Sequence, residues 1–398
     1  MEWRGKREIP EKTSQPTASF GTIPTCENLV TRPGIEPVSF WWEASRLTAQ
    51  RMFMVNYDMN NWALLSDAML AKQLSAPVRA KLLHDAWNLA YAGELNFASA
   101  LNMTLFLKGE RDPRVWDAMF TMIDHVGRQV SGTEAGLKFE EYCRRLLNSL
   151  LNSMDEDTKW SEFGRITKQI LSRISYQPYI STARDVYRQW MDSADPDAGN
   201  PRVSEKYFCT VFEWGSEDEW EFGLQRVINF PESRKKSERT YLLKTLAGCP
   251  RQAEKIQRLL NITLVEGNGN FSDADVRLIL SMLTGGSTGY TTLLKFLLQN
   301  WDVLKLRYAN KPHMWEYLIS TSTGSFNTQE GLDLVSELYV AKQGEFGSAD
   351  AIIERSIKTI KEEARWSDEN LPTMEAWLEW ALAVEDTTRA ERGAYPMG

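Results

Sequence analysis

Three histidines and four cysteines are the side chains of this 398-residue chain best suited to hold a metal or to act as nucleophiles. Two imidazoles share a helix face when they stand about four residues apart, the spacing a helical zinc site needs. His84, His125 and His313 come nowhere near it. Cys26, Cys143, Cys209 and Cys249 show no metal-like spacing either. The adjacent carboxylates Glu140-Glu141 and Glu362-Glu363 do not share a helix face and read as solvated surface. Gly285-Gly-Ser-Thr-Gly289 is the one phosphate-loop-like stretch. It lacks a following Lys-Ser/Thr and a preceding strand, so it reads as a helix–helix turn. His84 precedes Asp85, but neighbours diverge on a helix, so His84 is expected at a surface or boundary. No catalytic, metal or cofactor residue is assigned.

Bulk properties exclude further classes. Hydrophobic residues make up 42% and charged residues 25%, ordinary for a globular chain. The net charge is −8, and the longest basic run is Arg234-Lys-Lys236, which argues against nucleic acid as a partner. Fifteen tryptophans imply thick helix–helix packing. No apolar run is long enough to cross a bilayer. Met1–Glu8 has no apolar stretch behind it, and the C-terminus has no hydrophobic tail, so the chain taken literally is cytoplasmic.

The elements that position these side chains are mostly helices. Residues 1–50 are turn-rich and aperiodic and are expected to be a disordered or aberrant leader. Residues 51–60 hold one imperfectly alternating strand, with no partner strand expected. From 61 to 385 the period is helical. Trp62, Leu65 and Met69 form one stripe; Val78, Leu82, Ala86 and Leu89 form the next, capped by Ser75, with Pro77 in its first turn and Gly93 as its stop. Others are Phe139, Cys143, Leu146 and Leu150; Leu294, Leu297, Trp301, Leu304 and Tyr308; and Ile353, Ile357, Ile360 and Ala364, capped by Ser348. Residues 386–398 read as a flexible tail. Roughly ten to sixteen helices with short loops predict an all-α, curved solenoid of antiparallel helix pairs, armadillo/HEAT-like.

Several segments, in order, resemble the aminopeptidase N family of zinc aminopeptidases over about residues 53–383. They are Val55-Asn-Tyr-Asp58, Asn61-Trp62, Asp85-Ala-Trp-Asn-Leu-Ala90, Ala100-Leu-Asn-Met-Thr-Leu-Phe-Leu107, Val186-Tyr-Arg-Gln-Trp-Met191, Tyr207-Phe-Cys209, Glu217-Asp-Glu-Trp-Glu-Phe222, Leu246-Ala-Gly-Cys249 and Phe296-Leu-Leu-Gln-Asn-Trp301. In that family they belong to the last strand of a β-sandwich and the C-terminal helical domain after it. The zinc motif H-E-x-x-H and the exopeptidase motif G-A-M-E-N lie upstream, and neither occurs in these 398 residues.

The resemblance implies a domain that closes and shapes the peptide chamber of a parent enzyme that removes N-terminal residues from peptides. Zinc, the peptide substrate, the peptidase and β-sandwich domains, and homodimer contacts would belong to that parent, which sits at the plasma membrane, outside the cell or in the secretory lumen. It also implies a Cys209–Cys249 disulfide. A second family bridge falls where this chain has Ser172 and Tyr179, and Met54 stands where the family commonly has Arg. Asn102, Asn261 and Asn270 open candidate glycosylation sequons. The alternative is a free-standing scaffold binding a peptide or protein on its concave face.

Overall fold

The computed structural model describes residues 29–30, 54–196, 205–267 and 269–393, with side chains from 54 to 387. The chain divides into two compact units, Met1–Asp58 and Met59–Gly398. In the first, β1 (Leu29–Val30) pairs antiparallel with β2 (Met54–Val55), Leu29 opposite Val55. The strand expected near 51–58 is therefore two residues long, and it has a partner after all, taken from the segment read as a leader. The rest of that leader lies outside the described residues.

The second unit is all-α, with eighteen α-helices among the described residues. The first six are α1 (Met59–Leu70), α2 (Ala76–Tyr91), α3 (Phe97–Asn102), α4 (Pro113–Gln129), α5 (Glu134–Ser153) and α6 (Glu156–Trp160). The next six are α7 (Glu162–Arg173), α8 (Gln177–Met191), α9 (Phe208–Trp214), α10 (Glu217–Ile228), α11 (Lys236–Gly248) and α12 (Ala253–Leu260). The last six are α13 (Asp273–Leu283), α14 (Ser287–Gln299), α15 (Trp301–Arg307), α16 (Pro312–Thr323), α17 (Gln329–Ala341) and α18 (Asp350–Gly393). Helices pack on their sequence neighbours and on the next but one: α2 on α4, α9 on α11, α11 on α13, α12 on α14, α14 on α16. That is the pattern of stacked helix pairs.

Local chemistry sets the starts. Asn96, Asp112, Thr133, Asp155, Ser161, Ser216, Ser272 and Thr328 each accept a first-turn backbone N–H. A cap of this kind stabilises by roughly 0.5–2 kcal/mol. Ser216 with Glu219, and Ser272 with Asp275, close reciprocal capping boxes. Gly93, at φ +73°, ends α2 in a conformation that favours glycine.

Five expectations need correction. Ser75 occupies the N-cap of α2 but its side chain makes no cap hydrogen bond. Val78 is exposed, although Leu82, Ala86 and Leu89 are buried. The stripe from Leu294 to Tyr308 crosses a break at Asn300, whose Nδ2 donates to Phe296 O at 2.9 Å and stops α14. Ser348 lies inside a 3₁₀ turn, Gly347–Ala349, and α18 runs through the supposed tail to Gly393. The helix continues because buried Met374, Trp377 and Leu378 extend its apolar stripe past Ala364. The helix count exceeds the expected range partly because α3 and α6, at six and five residues, are too short to show a period.

Candidate functional site

The structure brings Cys209, on α9, and Cys249, just after α11, together as a disulfide with Cα atoms 5.2 Å apart. Cys143 is buried and unpaired, and burial pushes its thiol far above the ordinary range, so it packs as a small hydrophobe. Cys26 lies outside the described residues. Ser172 donates to Gln169 O at 2.7 Å and meets Thr210 Oγ1 at 3.1 Å. Tyr179 is buried, its ring 5.5 Å from that of Tyr207.

The three sequon asparagines differ in freedom. Asn102 ends α3 exposed, yet its Oδ1 accepts from Trp377 Nε1 at 2.7 Å. Asn261 opens a π-helical turn, Asn261–Glu266, and donates to Glu266 at 2.8 Å. Asn270 is exposed in the loop before α13. His84 does approach Asp85, Nδ1 to Oδ1 3.6 Å, contrary to the divergence expected of neighbours; Asp85 itself is buried and held by Lys81 at 2.6 Å. Among the described residues no group of three or more His, Cys, Asp or Glu is placed to hold a metal. Gly285 and Gly286 form the turn between α13 and α14, and Ser287 opens α14.

Periodicity gave no sign of the seam made by α18. This 44-residue helix packs on α16 and α17 and then on α3 and α5. Trp366 stacks on Tyr91 at 5.7 Å, and Trp377 meets Tyr142 edge-on at 5.4 Å. Lys138 reaches Glu375 and Glu379 at 2.8 and 3.1 Å, and Arg145 reaches Asp386 at 2.7 Å. The last helix thus ties the final helix pairs back to the first.

Beside this seam the turns after α4, α13 and α16 converge on α18 around a cavity of about 270 Å³. Gln129, Tyr290, Asn327 and Glu363 line it. Gln129 organises two of the others: its carbonyl accepts from Asn327 Nδ2 at 2.6 Å and its Nε2 donates to Glu363 Oε2 at 3.2 Å. Asn327 Oδ1 is buried with no hydrogen-bond partner. A second cavity of about 200 Å³ contrasts with it. Its carboxylate, Glu110, is satisfied by Arg79 at 2.5 Å and by the amides of Arg111 and Asp112.

Two buried carboxylates in the middle of the array take opposite paths. Glu219 accepts from Arg184, Arg188 and Ser216 N, and these bonds outweigh its large desolvation and hold it below the usual carboxylate range. Glu213 sits 2.6 Å from Arg251, yet burial dominates and pushes it up to about 7. Neither lines a cavity described above.

A family model described as the ERAP1-like C-terminal domain matches residues 50–362. The chain belongs to this family. Human aminopeptidase N is 25% identical over 355 residues, 85% of this chain and 36% of that protein. Bovine aminopeptidase N is 23% identical over 356 residues, and mouse endoplasmic reticulum aminopeptidase 1 is 25% identical over 361 residues. Those two alignments cover 85% and 87% of this chain, and 36% and 37% of the relatives. The chain therefore spans about a third of the length of the relatives it matches. As an ERAP1-like C-terminal domain it is an all-α array, and none of its described helices is long and apolar enough to cross a membrane.

Proposed function

We propose that this chain is the helical wall of the peptide chamber in a zinc aminopeptidase. It closes the chamber and selects peptides by length, while a zinc-bearing peptidase portion upstream performs the hydrolysis. The observation that carries this reading is the family match over residues 50–362, joined to relatives named as aminopeptidases. The tie made by α18 supports it mechanically. A wall must keep its curvature while peptides enter and leave, and joining the ends of a stacked array limits its opening. The Cys209–Cys249 bridge favours an oxidising compartment, the secretory lumen or cell exterior.

The chemistry this chain contributes would be steric and electrostatic. In the parent, zinc would polarise the peptide carbonyl and supply an activated water, held by ligands outside these residues. The test is the coding sequence directly upstream of Met54. A transcript in which it continues in frame from H-E-x-x-H and G-A-M-E-N supports the reading. A transcript that encodes only the present leader, in tissue where the protein is made, refutes it.

A further inference from the structure

Helix α18 changes partners half-way along, and its own packing lapses at the same place. Its first half meets α16 and α17, with Ser356 Oγ bonded to Thr323 and Glu354 to Tyr339. Its second half meets α3 and α5, with Trp377 bonded to Asn102 and Glu375 to Lys138. Buried Ile360, Ala364 and Ser367 seat the first half, and buried Met374, Trp377 and Leu378 seat the second. Between Ser367 and Met374 no side chain is buried, and Asp368, Glu369 and Pro372 are exposed.

The backbone is weakest in that same stretch. Pro372 lies inside the helix and has no N–H to offer the Asp368 carbonyl. Asn370 Nδ2 donates to Trp366 O at 2.8 Å, the carbonyl that its own backbone N–H uses in an α-helix. Prolines and side chains inserted into the ladder both kink helices, and here the two fall within one turn.

The two sides of this stretch are anchored differently. Before it, Trp366 stacks on Tyr91 and meets Phe97 edge-on at 5.4 Å, and Ser367 Oγ donates to Asn327 O at 2.7 Å. After it, the apolar stripe is ringed by ion pairs open to solvent: Lys138 with Glu375 and Glu379, Lys108 with Glu385, and Arg145 with Asp386. Such pairs contribute little each and weaken with salt. Past Ala381 no described side chain is buried.

We propose that residues 368–373 form a hinge and residues 374–387 a strap, which undocks from α3 and α5 as a unit while the first half of α18 stays seated. Undocking uncovers the face of α5 that carries Tyr142 and releases the part of the seam that joins α18 to α5. The device belongs to the helical unit alone and does not rest on the chamber reading.

The experiment is amide hydrogen exchange of the full 398-residue chain, followed by mass spectrometry. Freed of its partners, a helix as short as the strap is marginal in water, so undocking registers as exchange. A strap gives a step at the hinge: residues 374–387 should exchange about tenfold faster than residues 353–367, or more. Raising salt from about 0.01 M to about 1 M cuts the screening length from about 30 Å to about 3 Å and should quicken exchange after the hinge only. Pro372→Ala restores the missing donor and should shrink the step about threefold. Lys138→Gln, which removes two of the ion pairs, should enlarge it and leave residues 353–367 unchanged. Uniform exchange along residues 353–387, or a smooth gradient toward the C-terminus as in simple fraying, would overturn the proposal. So would a step that Pro372→Ala leaves untouched, or salt and Lys138→Gln acting on both halves alike.

Discussion

The middle of the helical array and the seam made by α18 are held by different means. In the middle, α8 to α12 close over Tyr187, Phe208, Phe212 and Trp220, each no more than 2% exposed. Gly223 lets α10 approach so closely that a Cβ there would lie 2.6 Å from the Phe212 ring. Trp220 Nε1 donates to Leu246 O, and the disulfide joins α9 to the turn after α11. Partners here are a few dozen residues apart. At the seam, partners are 234 to 275 residues apart, and many are charged or half-exposed. Such exposed ion pairs contribute little each, about 0–1 kcal/mol. The middle is thus closed by buried aromatics and a covalent link, whereas the seam joins a buried apolar stripe, Met374, Trp377 and Leu378, to a rim of individually weak ion pairs.

The sharpest break of this contrast is Trp220→Ala. It should cost about 3–5 kcal/mol in a denaturant titration, because a large buried side chain is removed from a filled core. A loss below about 1 kcal/mol would mean the middle is no tighter than the seam. Reducing or removing the Cys209–Cys249 bridge should cost about 3–4 kcal/mol for a loop of 40 residues. Trp377→Phe, which deletes the hydrogen bond to Asn102 and part of the ring packed against Tyr142, should cost about 1–3 kcal/mol. It should also increase amide exchange in α3 and the end of α18 while leaving α9 to α11 unchanged.

The last effect is a slope with pH. Glu213 keeps its proton up to about pH 7 in the folded state, above the ordinary carboxylate value. The folded chain therefore binds a proton the unfolded chain has released. The stability this contributes is full at acid pH below the ordinary value and is lost as pH rises through about 7. His125, lowered chiefly by burial, acts with the opposite sign below its usual value. Glu213→Gln should therefore be compared with wild type, and the difference in melting temperature should favour the variant increasingly from pH 5 to pH 8. A constant difference would show that Glu213 is ionised throughout.

The middle was legible in the sequence through the resemblance around Val186-Tyr-Arg-Gln-Trp-Met191, Tyr207-Phe-Cys209, Glu217-Asp-Glu-Trp-Glu-Phe222 and Leu246-Ala-Gly-Cys249, because its order is local and acts within short stretches. The break at Asn300 escaped because α14 and α15 keep one apolar phase across it, so periodicity saw a single helix. The seam was illegible for another reason. A stripe such as Met374, Trp377 and Leu378 says that a face is buried, but not that α3 and α5 bury it. The cavity escaped as well, since Gln129, Asn327 and Glu363 share no motif and meet only because three turns converge.

The central claim is that this chain supplies chamber wall and leaves hydrolysis to another part of the parent. Its most direct test is the purified 398-residue chain, equilibrated with zinc, freed of excess metal, and incubated with a decapeptide. Metal analysis and mass spectrometry should find no stoichiometric zinc and an intact N-terminus. One tightly bound zinc per chain, with stepwise release of N-terminal residues, would contradict the account.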